Sequence, residues 1–461
     1  MASPVNPPRG MRDFLPAEKA RRERVLAVIR SVFAAHGFDE IETPVMEDSA
    51  RLHAGLGGDN EKLAFGVLKR GLTADDFAAA TDALDLADLG LRFDLTVPLA
   101  RFYASHRAEL PAVFRAIQVA PVWRAERPQK GRYRQFVQCD IDIIGEAGVL
   151  AEIELLTATA DTFAALGLTG CKIRINDRRL LIGMLDALGF PAESHDQVLI
   201  TIDKLDKVGQ DGVIAELRAR EVHPAAVDAL EQFFRLPQTP QPLGFGEQAI
   251  RAALPAGADG VGVDAAVLAD LVAIGQAVAG AAGQAAQAGQ TAQAEHAVNI
   301  FRPRVEFDPF LVRGMGYYTG TIFEIGHPDL TYSLGGGGRY DGMIGRFLGV
   351  DVPAAGFSIG FERIVDLVQL PDNENAGGVA LVYDSDVTSA TLMQLKAELI
   401  ASGRRVRLER APRNLKPLIA QLEASGFVEL ATVSRDTTTV SELRMRSLVA
   451  DKTAADKTAG Q

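Results

Sequence analysis

The sequence predicts an α+β protein that ends in a small α/β domain, and three stretches carry that prediction. In "QFVQCDIDII", Val137, Cys139, Ile141 and Ile143 alternate with Gln138, Asp140 and Asp142, the period-two pattern of a strand with one apolar and one polar face. Residues 176–300 read as mainly helical. Past residue 377, "VALVYDS", "RRVRLER" and "FVELATVS" alternate with helices expected over 387–402 and 414–426, the pattern of a compact α/β unit.

Length and composition set the frame. At 461 residues the chain exceeds one ordinary core, and roughly 100–200 residues per domain gives two to four domains. With 47% hydrophobic and 23% charged residues it reads as soluble and globular. A formal net charge of -12 argues against coating nucleic acid through bulk charge, yet leaves room for a local basic patch. The cysteines, Cys139 and Cys171, form no CxxC pair, so neither a disulfide framework nor a cysteine zinc site is expected, and a reducing compartment follows. The seven histidines, His36, His195 and His327 among them, show no ligand spacing; no metal ligands are expected. The opening "MASPVNPPRGMRDFLP" has no apolar core, which excludes a secretory signal there.

Taken in order, residues 17–36 place Val25, Ile29, Val32 and Phe33 at helical spacing, and "GFDEIETPVMED" follows as a break and a strand. Residues 62–91, which contain the acidic, alanine-rich "TADDFAAATDALDLADLG", read as a surface insertion without chemistry. "RFDLTVPLARF" restarts order and leads through a helix into "VWRAERPQKGRYRQFVQCDIDIIG", a hairpin whose loop is set by Pro128 and Gly131. A helix over 147–168 and "CKIRINDRRLLIGMLDALGF", a strand and helix, come next. Residues 271–294, rich in Ala, Gln and Gly, are too polar to cross a bilayer and form either a surface helix or a connector. Sheet character returns in "FLVRGMGYYTGTIFEIG", "YSLGGGGRYDGMIGRF" and "AAGFSIGFERIVDLV", the last running into a helix.

The hairpin is the most informative stretch. Arg124, Arg127, Lys130, Arg132 and Arg134 crowd into eleven residues and overhang a strand face carrying Gln138, Asp140 and Asp142. Guanidinium forks match phosphate oxygens, while carboxylates and amides read an amine or a polar side chain, so the pairing suits a nucleotide beside a polar substrate. Gly335 to Gly338 allow close backbone approach to a ligand or strand, or else a tight turn. In "GFSIGFER", Gly356 and Gly360 open space on a strand and Arg363 follows where a helix begins, a place suited to an anion. No GxxxxGK[ST] loop and no dinucleotide GxGxxG fingerprint is present, which disfavours P-loop and Rossmann enzymes.

These segments together resemble the histidyl-tRNA synthetases, class II aminoacyl-tRNA synthetases, over essentially the whole chain. "PRGMRDFLP" resembles the family's opening and "GFDEIETPVMED" its motif 1, the dimer-forming element. "VWRAERPQKGRYRQFVQCDID" resembles motif 2 and "GFSIGFERI" motif 3, while "LVRGMGYYTGTIFEI" and "GGGGRYDGMIG" resemble signatures peculiar to histidyl enzymes. The resemblance implies a class II antiparallel sheet domain over 1–175 and 305–371, interrupted by a helical insertion over 176–304. An α/β anticodon-binding domain over 377–450 and a disordered tail over 451–461 complete it. It implies ATP, Mg²⁺, L-histidine and tRNA(His) as reactants, a cytoplasmic homodimer and no membrane.

Residue by residue, it assigns Arg124 to the ATP α-phosphate, Glu126 to the adenine side, Arg132 to the outer phosphates and Arg363 to the γ-phosphate. Asp94, Thr96 and Gln138 match positions that bind the substrate α-ammonium. Asp142 and Tyr318 match those reading the imidazole nitrogens, and Tyr317 lines the same pocket. Arg313 matches the arginine contacting the reacting carboxylate and α-phosphate; with Arg124 it carries catalysis. There are two departures. Asp94 and Asp142 stand where many members have glutamate, so the pocket must draw closer or use water, and Gly316 stands where an aspartate is common, leaving no carboxylate there to orient Arg313. The alternative is a non-catalytic synthetase-like regulatory subunit of ATP phosphoribosyltransferase, which lacks the anticodon domain and tends to lose the arginines.

Overall fold

The structure is a computed structural model that describes residues 5–54, 62–129, 131–235, 245–255, 264–291, 303–313, 317–370 and 378–448. Gly316, Lys130 and the 451–461 tail therefore lie outside the described residues. The chain comprises two compact units, Met1–Asp13 with Val25–Gln369, and Phe14–Arg24 with Leu370–Gln461.

In chain order the strands are β1 (Asp39–Glu40), β2 (Met46–Asp48), β3 (Phe65–Leu68), β4 (Ala87–Leu91), β5 (Phe114–Trp123), β6 (Gln135–Ile144), β7 (Lys172–Asp177), β8 (Arg304–Phe307), β9 (Thr321–Gly326), β10 (Gly335–Arg339), β11 (Ala354–Gly360), β12 (Gly378–Tyr383), β13 (Arg405–Arg410), β14 (Phe427–Val433) and β15 (Arg446–Ser447). The first unit is built on an eight-stranded sheet in the order β1-β5-β6-β11-β10-β9-β7-β8, with its interior antiparallel and parallel pairs only at β1/β5 and β7/β8. The hairpin expected from the alternating sequence is β5–β6, paired from Phe114↔Ile144 to Trp123↔Gln135.

Register determines what the two faces hold. One transverse row runs Ile117, Ile141, Phe357, Gly337, Phe323, Ile175 and Phe307 across seven strands, and all six side chains are at most 2% exposed. Each such burial stabilises by about 1.5–3 kcal/mol. Gly337 has no side chain to contribute, so the Phe323 and Phe357 rings on the flanking strands close over it, stacked 5.5 Å apart at 5°. The helix Leu150–Ala165 covers β6 and β11 with Leu155, Leu156 and Phe163 fully buried, and helix Ala265–Thr291 brings Leu268, Leu271 and Ile274 into the same core. The Ala- and Gln-rich tract is thus helical through Thr291. Among the described residues no helix is long and apolar enough to cross a membrane. Helix Pro16–Ala35 buries Val25, Ile29 and Phe33, as its spacing requires, and leaves Val32 half-buried.

Two expectations change. The Gly335–Gly338 run is not a tight turn but the buried central strand β10. Residues 62–91 are only partly a surface insertion: β3 and β4 pair with β2 in a three-stranded sheet, order β2-β4-β3. The acidic residues between them act as caps, Thr73 with Asp76 and Asp82 with Asp85 forming capping boxes at two short helical turns.

The second unit has the sheet order β13-β12-β14-β15, parallel except for β15. Val379, Leu381 and Val433 pack with Leu392, Leu395 and Leu399 on one face; Ala380, Leu430 and Phe427 pack with Leu422 on the other. Burial on both faces is why β12 reads as a continuous apolar run.

The glycine strand yields a test. A Cβ at Gly337 would lie 1.9 Å from the Gly356 carbonyl oxygen, so Gly337→Ala should lower the unfolding free energy by at least about 2 kcal/mol in urea titration. Gly342→Ala, in the following helix, meets nothing within 4 Å and should be neutral or stabilising.

Candidate functional site

The other face of the sheet forms the floor of a cavity. One row there runs Gln118, Asp140, Ser358, Gly336, Glu324 and Arg174; the adjacent row runs Ala116, Asp142, Gly356, Gly338 and Ile322. The glycines in these rows leave room for neighbours. A Cβ at Gly356 would fall 1.9 Å from Asp142 Oδ1, and one at Gly336 would fall 2.6 Å from the Arg313 guanidinium carbon. Asp142 and Arg313 therefore occupy space that the glycines vacate.

The cavity holds about 290 Å³, and all eleven candidate residues line it: Asp94, Thr96, Arg124, Glu126, Arg132, Gln138, Asp142, Arg313, Tyr317, Tyr318 and Arg363. Arg124 follows β5 directly. Its backbone N–H donates to the Arg134 carbonyl at 2.9 Å, its Nε donates to the Phe93 carbonyl at 2.9 Å, and the guanidinium lies 5.2 Å from the Phe136 ring centre. The next residue is pinned as well, since Ala125 N donates to the Leu63 carbonyl at 2.7 Å. Residues 62–91 thus buttress the loop rather than merely decorate the surface. Asp94 sits before helix Thr96–His106, its Oδ1 accepting from Val97 N at 3.2 Å, which fixes both Asp94 and Thr96 at a helix start.

Four guanidinium groups converge here. Burial lowers Arg363 below its ordinary value, and Arg132, Arg313 and Arg124 lower it further by repulsion. Burial likewise lowers Arg124, against the pull of Asp94, Glu126 and Asp140. Guanidinium stays charged even so, and a cluster of mutually repelling cations, three of them half-buried and Arg132 exposed, is a site for a polyanion. Arg363 is aimed by its bond to the Ser333 carbonyl, 2.6 Å, and Arg132 lies 3.1 Å from Glu126. Not all of the basic loop takes part: Arg134 donates from Nε to the Glu126 carbonyl at 3.0 Å, and Arg127 is exposed and outside the cavity lining.

The polar face of β6 supplies the complement. Gln138 Nε2 donates to Ser358 Oγ at 2.9 Å. Asp142 is raised to about 7, chiefly by burial and also by Asp94, with the Tyr340 hydroxyl opposing the shift by donating to Asp142 Oδ1 at 2.6 Å. The Tyr317 and Tyr318 rings meet at 4.7 Å, tilted by 52°, and Tyr340 meets Tyr317 edge-on at 6.1 Å.

Sequence reasoning passed over Tyr340 and Glu324, and it placed Asp140 on the polar face without giving it a role of its own. Tyr340 stood inside the quoted "GGGGRYDGMIG", and Asp140 on the alternating face, so both signals were present. Glu324 answers the missing carboxylate at position 316: Arg313 Nη1 donates to Glu324 Oε2 at 2.7 Å, and Arg174 Nη2 holds Glu324 Oε1 at 2.5 Å.

Comparison with known proteins bears on the family and the fold. The family model described as histidyl-tRNA synthetase matches residues 10–364. The histidine–tRNA ligase of Leifsonia xyli subsp. xyli is 58% identical over 445 residues, covering 96% of this chain and 98% of that protein. The probable histidine–tRNA ligase of Tropheryma whipplei is 44% identical over 434 residues, covering 92% and 94%. The histidyl-tRNA synthetase structure from Nostoc sp. PCC 7120 superposes with a TM-score of 0.72 at 24% identity, over 97% of this chain and 95% of that one, and so speaks for the fold alone. With its motifs, its cavity and these relatives in agreement, the chain belongs to the histidyl-tRNA synthetase family.

Proposed function

We propose that the cavity activates L-histidine with ATP as follows, and that one observation carries the reading: four guanidinium groups and the carboxylates of Asp94 and Asp142 share a single 290 Å³ space. The overall reaction is that of a histidine–tRNA ligase. A histidine carboxylate oxygen attacks the α-phosphorus, the bond to the β-phosphate oxygen breaks, and histidyl-adenylate and pyrophosphate form. A terminal ribose hydroxyl of tRNA then attacks the acyl carbon and AMP leaves. Neither step demands a strong acid or base from the protein. Catalysis rests on alignment and on neutralising charge that develops at the phosphate.

Arg124 holds the α-phosphate, Arg132 and Arg363 the outer phosphates, and Glu126 the adenine side. Arg313, seated on Gly336 and tied to Glu324, reaches the reacting carboxylate and the α-phosphate. Asp94, Thr96 and Gln138 receive the α-ammonium, while Asp142 and Tyr318 read the imidazole with Tyr317 as a wall. ATP enters as its magnesium complex. Glu126 and Glu362, carboxylates in the cavity lining, would share the magnesium ion, which would supply neutralisation of phosphate charge.

The second unit is the tRNA-reading domain in this proposal. Arg404 pairs with Glu429, and Arg405 and Arg407 lie over the Phe427 ring, whereas Arg410, Arg413 and Lys416 are exposed and suit phosphate contacts. The chain acts as a cytoplasmic homodimer; the exposed Val45, Met46, Leu68 and Leu89 around the three-stranded sheet support a protein-covered face. A regulatory subunit that has shed its catalytic arginines is less supported, because Arg124, Arg313 and Arg363 all line the cavity.

Histidine-dependent pyrophosphate exchange tests the core of this reading: exchange by the full chain supports it, and its absence sinks it. In that assay Asp142→Asn should weaken histidine binding by about 1.5–3 kcal/mol while ATP binding changes little. Arg313→Ala should slow adenylation by about 10²–10³; a loss confined to histidine KM would make Arg313 a ground-state contact instead. For the second unit, replacing Arg410 and Arg413 by Glu should reduce tRNA charging and flatten its salt dependence, with adenylate formation unaltered. Equal charging by that double variant would remove the unit from tRNA recognition.

A further inference from the structure

Apart from Glu126 Oε2, which is ion-paired with Arg132 at 3.1 Å, the buried polar atoms Gln138 Oε1, Asp140 Oδ1 and Arg313 Nε on cavity-lining side chains form no hydrogen bond with the described residues. Two are acceptors and one is a donor. A ligand that satisfied all three would present N–H donors to β6 and an acceptor oxygen to Arg313. An α-amino acid does this with adjacent groups, an ammonium carrying three donors and a carboxylate carrying only acceptors.

Asp140 is the member of this set to which the motifs give no task. Only 3% exposed, it lies between Gln138 and Asp142 on the cavity face of β6, with Ser358 opposite on β11 and Gln118 opposite on β5. Its Oδ2 is 3.4 Å from Gln138 Nε2, and the Ser358 hydroxyl also bonds the carboxyl. Asp142 differs, because Tyr340 already occupies its Oδ1. A carboxyl kept for packing alone would have both oxygens satisfied, since leaving a buried acceptor unmet is costly.

We propose that Asp140 is a further substrate-binding residue, which accepts a hydrogen bond from the α-ammonium group of the amino acid beside Gln138. The proposal rests on the cavity being the histidine site and adds to it the specificity for a free α-amine. Electrostatics agree with the geometry: burial, then Asp142, and also Asp94 hold the Asp140 carboxyl well above the usual range, against Ser358 and Arg124. A bound cation is what such a carboxyl needs in order to ionise. Asp94 and Asp142 are both short side chains, and Asp140 brings a third carboxyl to the same floor.

The test compares two ligands that differ at the proposed contact. Asp140→Asn should raise the histidine KM in pyrophosphate exchange roughly 10- to 100-fold and leave the ATP KM within about twofold. The inhibition constant of 3-(imidazol-4-yl)propanoate, which has the ring and carboxylate but no amine, should not change by more than about twofold. Asp140→Ser, smaller and still polar, gives the same comparison if the Asn variant unfolds in a thermal scan. An unchanged histidine KM overturns the proposal, as does an equal loss for histidine and the deaminated analogue, which would place Asp140 at the ring or in packing. Wild-type protein that shows no histidine-dependent exchange would instead sink the parent reading of the cavity.

Discussion

The site depends on side chains that are not there. From Gly335 to Gly338 strand β10 presents no side chain to either face of the central sheet. On one face Phe323 and Phe357 close over the gap and seal the core. On the other the Arg313 guanidinium lies where a Gly336 Cβ would be, and on β11 Gly356 likewise yields to Asp142. A large side chain at these positions would do more than loosen packing. It would displace the groups that face the substrate. Glycine weakens a strand by lost entropy and lost contacts, and antiparallel pairing to β9 and β11 on both sides offsets that weakness.

Charge follows from the same geometry. Carboxylates and guanidinium groups buried singly would be costly, yet here each kind restrains the other: Arg124 feels Asp94, Glu126 and Asp140, and Arg313 is held by Glu324. The arrangement leaves the cations in mutual repulsion, as the lowering of Arg363 by three other arginines shows. In the proposed reading a polyphosphate relieves that repulsion. Donors that already converge would need little rearrangement when charge develops at phosphorus.

Much of this was legible in the chain itself. Alternation on β6 announced a strand with a polar face, and the motif residues Arg124, Arg313 and Arg363 prove to line one cavity although they lie up to 239 positions apart. What could not be read was register. Nothing in "GTIFEIG" says that Glu324 faces Gly336 on one neighbour and Arg174 on the other, so the carboxylate that orients Arg313 was invisible from sequence. For the same reason the glycine run stayed open between turn and strand, since a strand without side chains carries no periodicity. The acidic run in 62–91 misled through composition: its aspartates cap helical turns, while the backbone carbonyl of Leu63 does the work of holding the basic loop.

The Glu324 row also bears on how the helical segment meets the chemistry. Arg174 bonds Glu324, Asp308 and Asp206 together, at 2.5, 3.1 and 2.8 Å, and Asp206 belongs to helix Leu205–Ala219. Arg313 is therefore the inner end of a chain of alternating charges whose outer end stands on that helix. The inner links Arg313–Glu324 and Glu324–Arg174 are partly buried, whereas Asp206 at the outer end is exposed. Among the described residues Glu324 Oε2 and Tyr318 fix the inner end, and its Nε has no hydrogen-bond partner there. A donor left unmet by the protein is what a group needs if its strongest bond is to form with the transition state rather than with the enzyme.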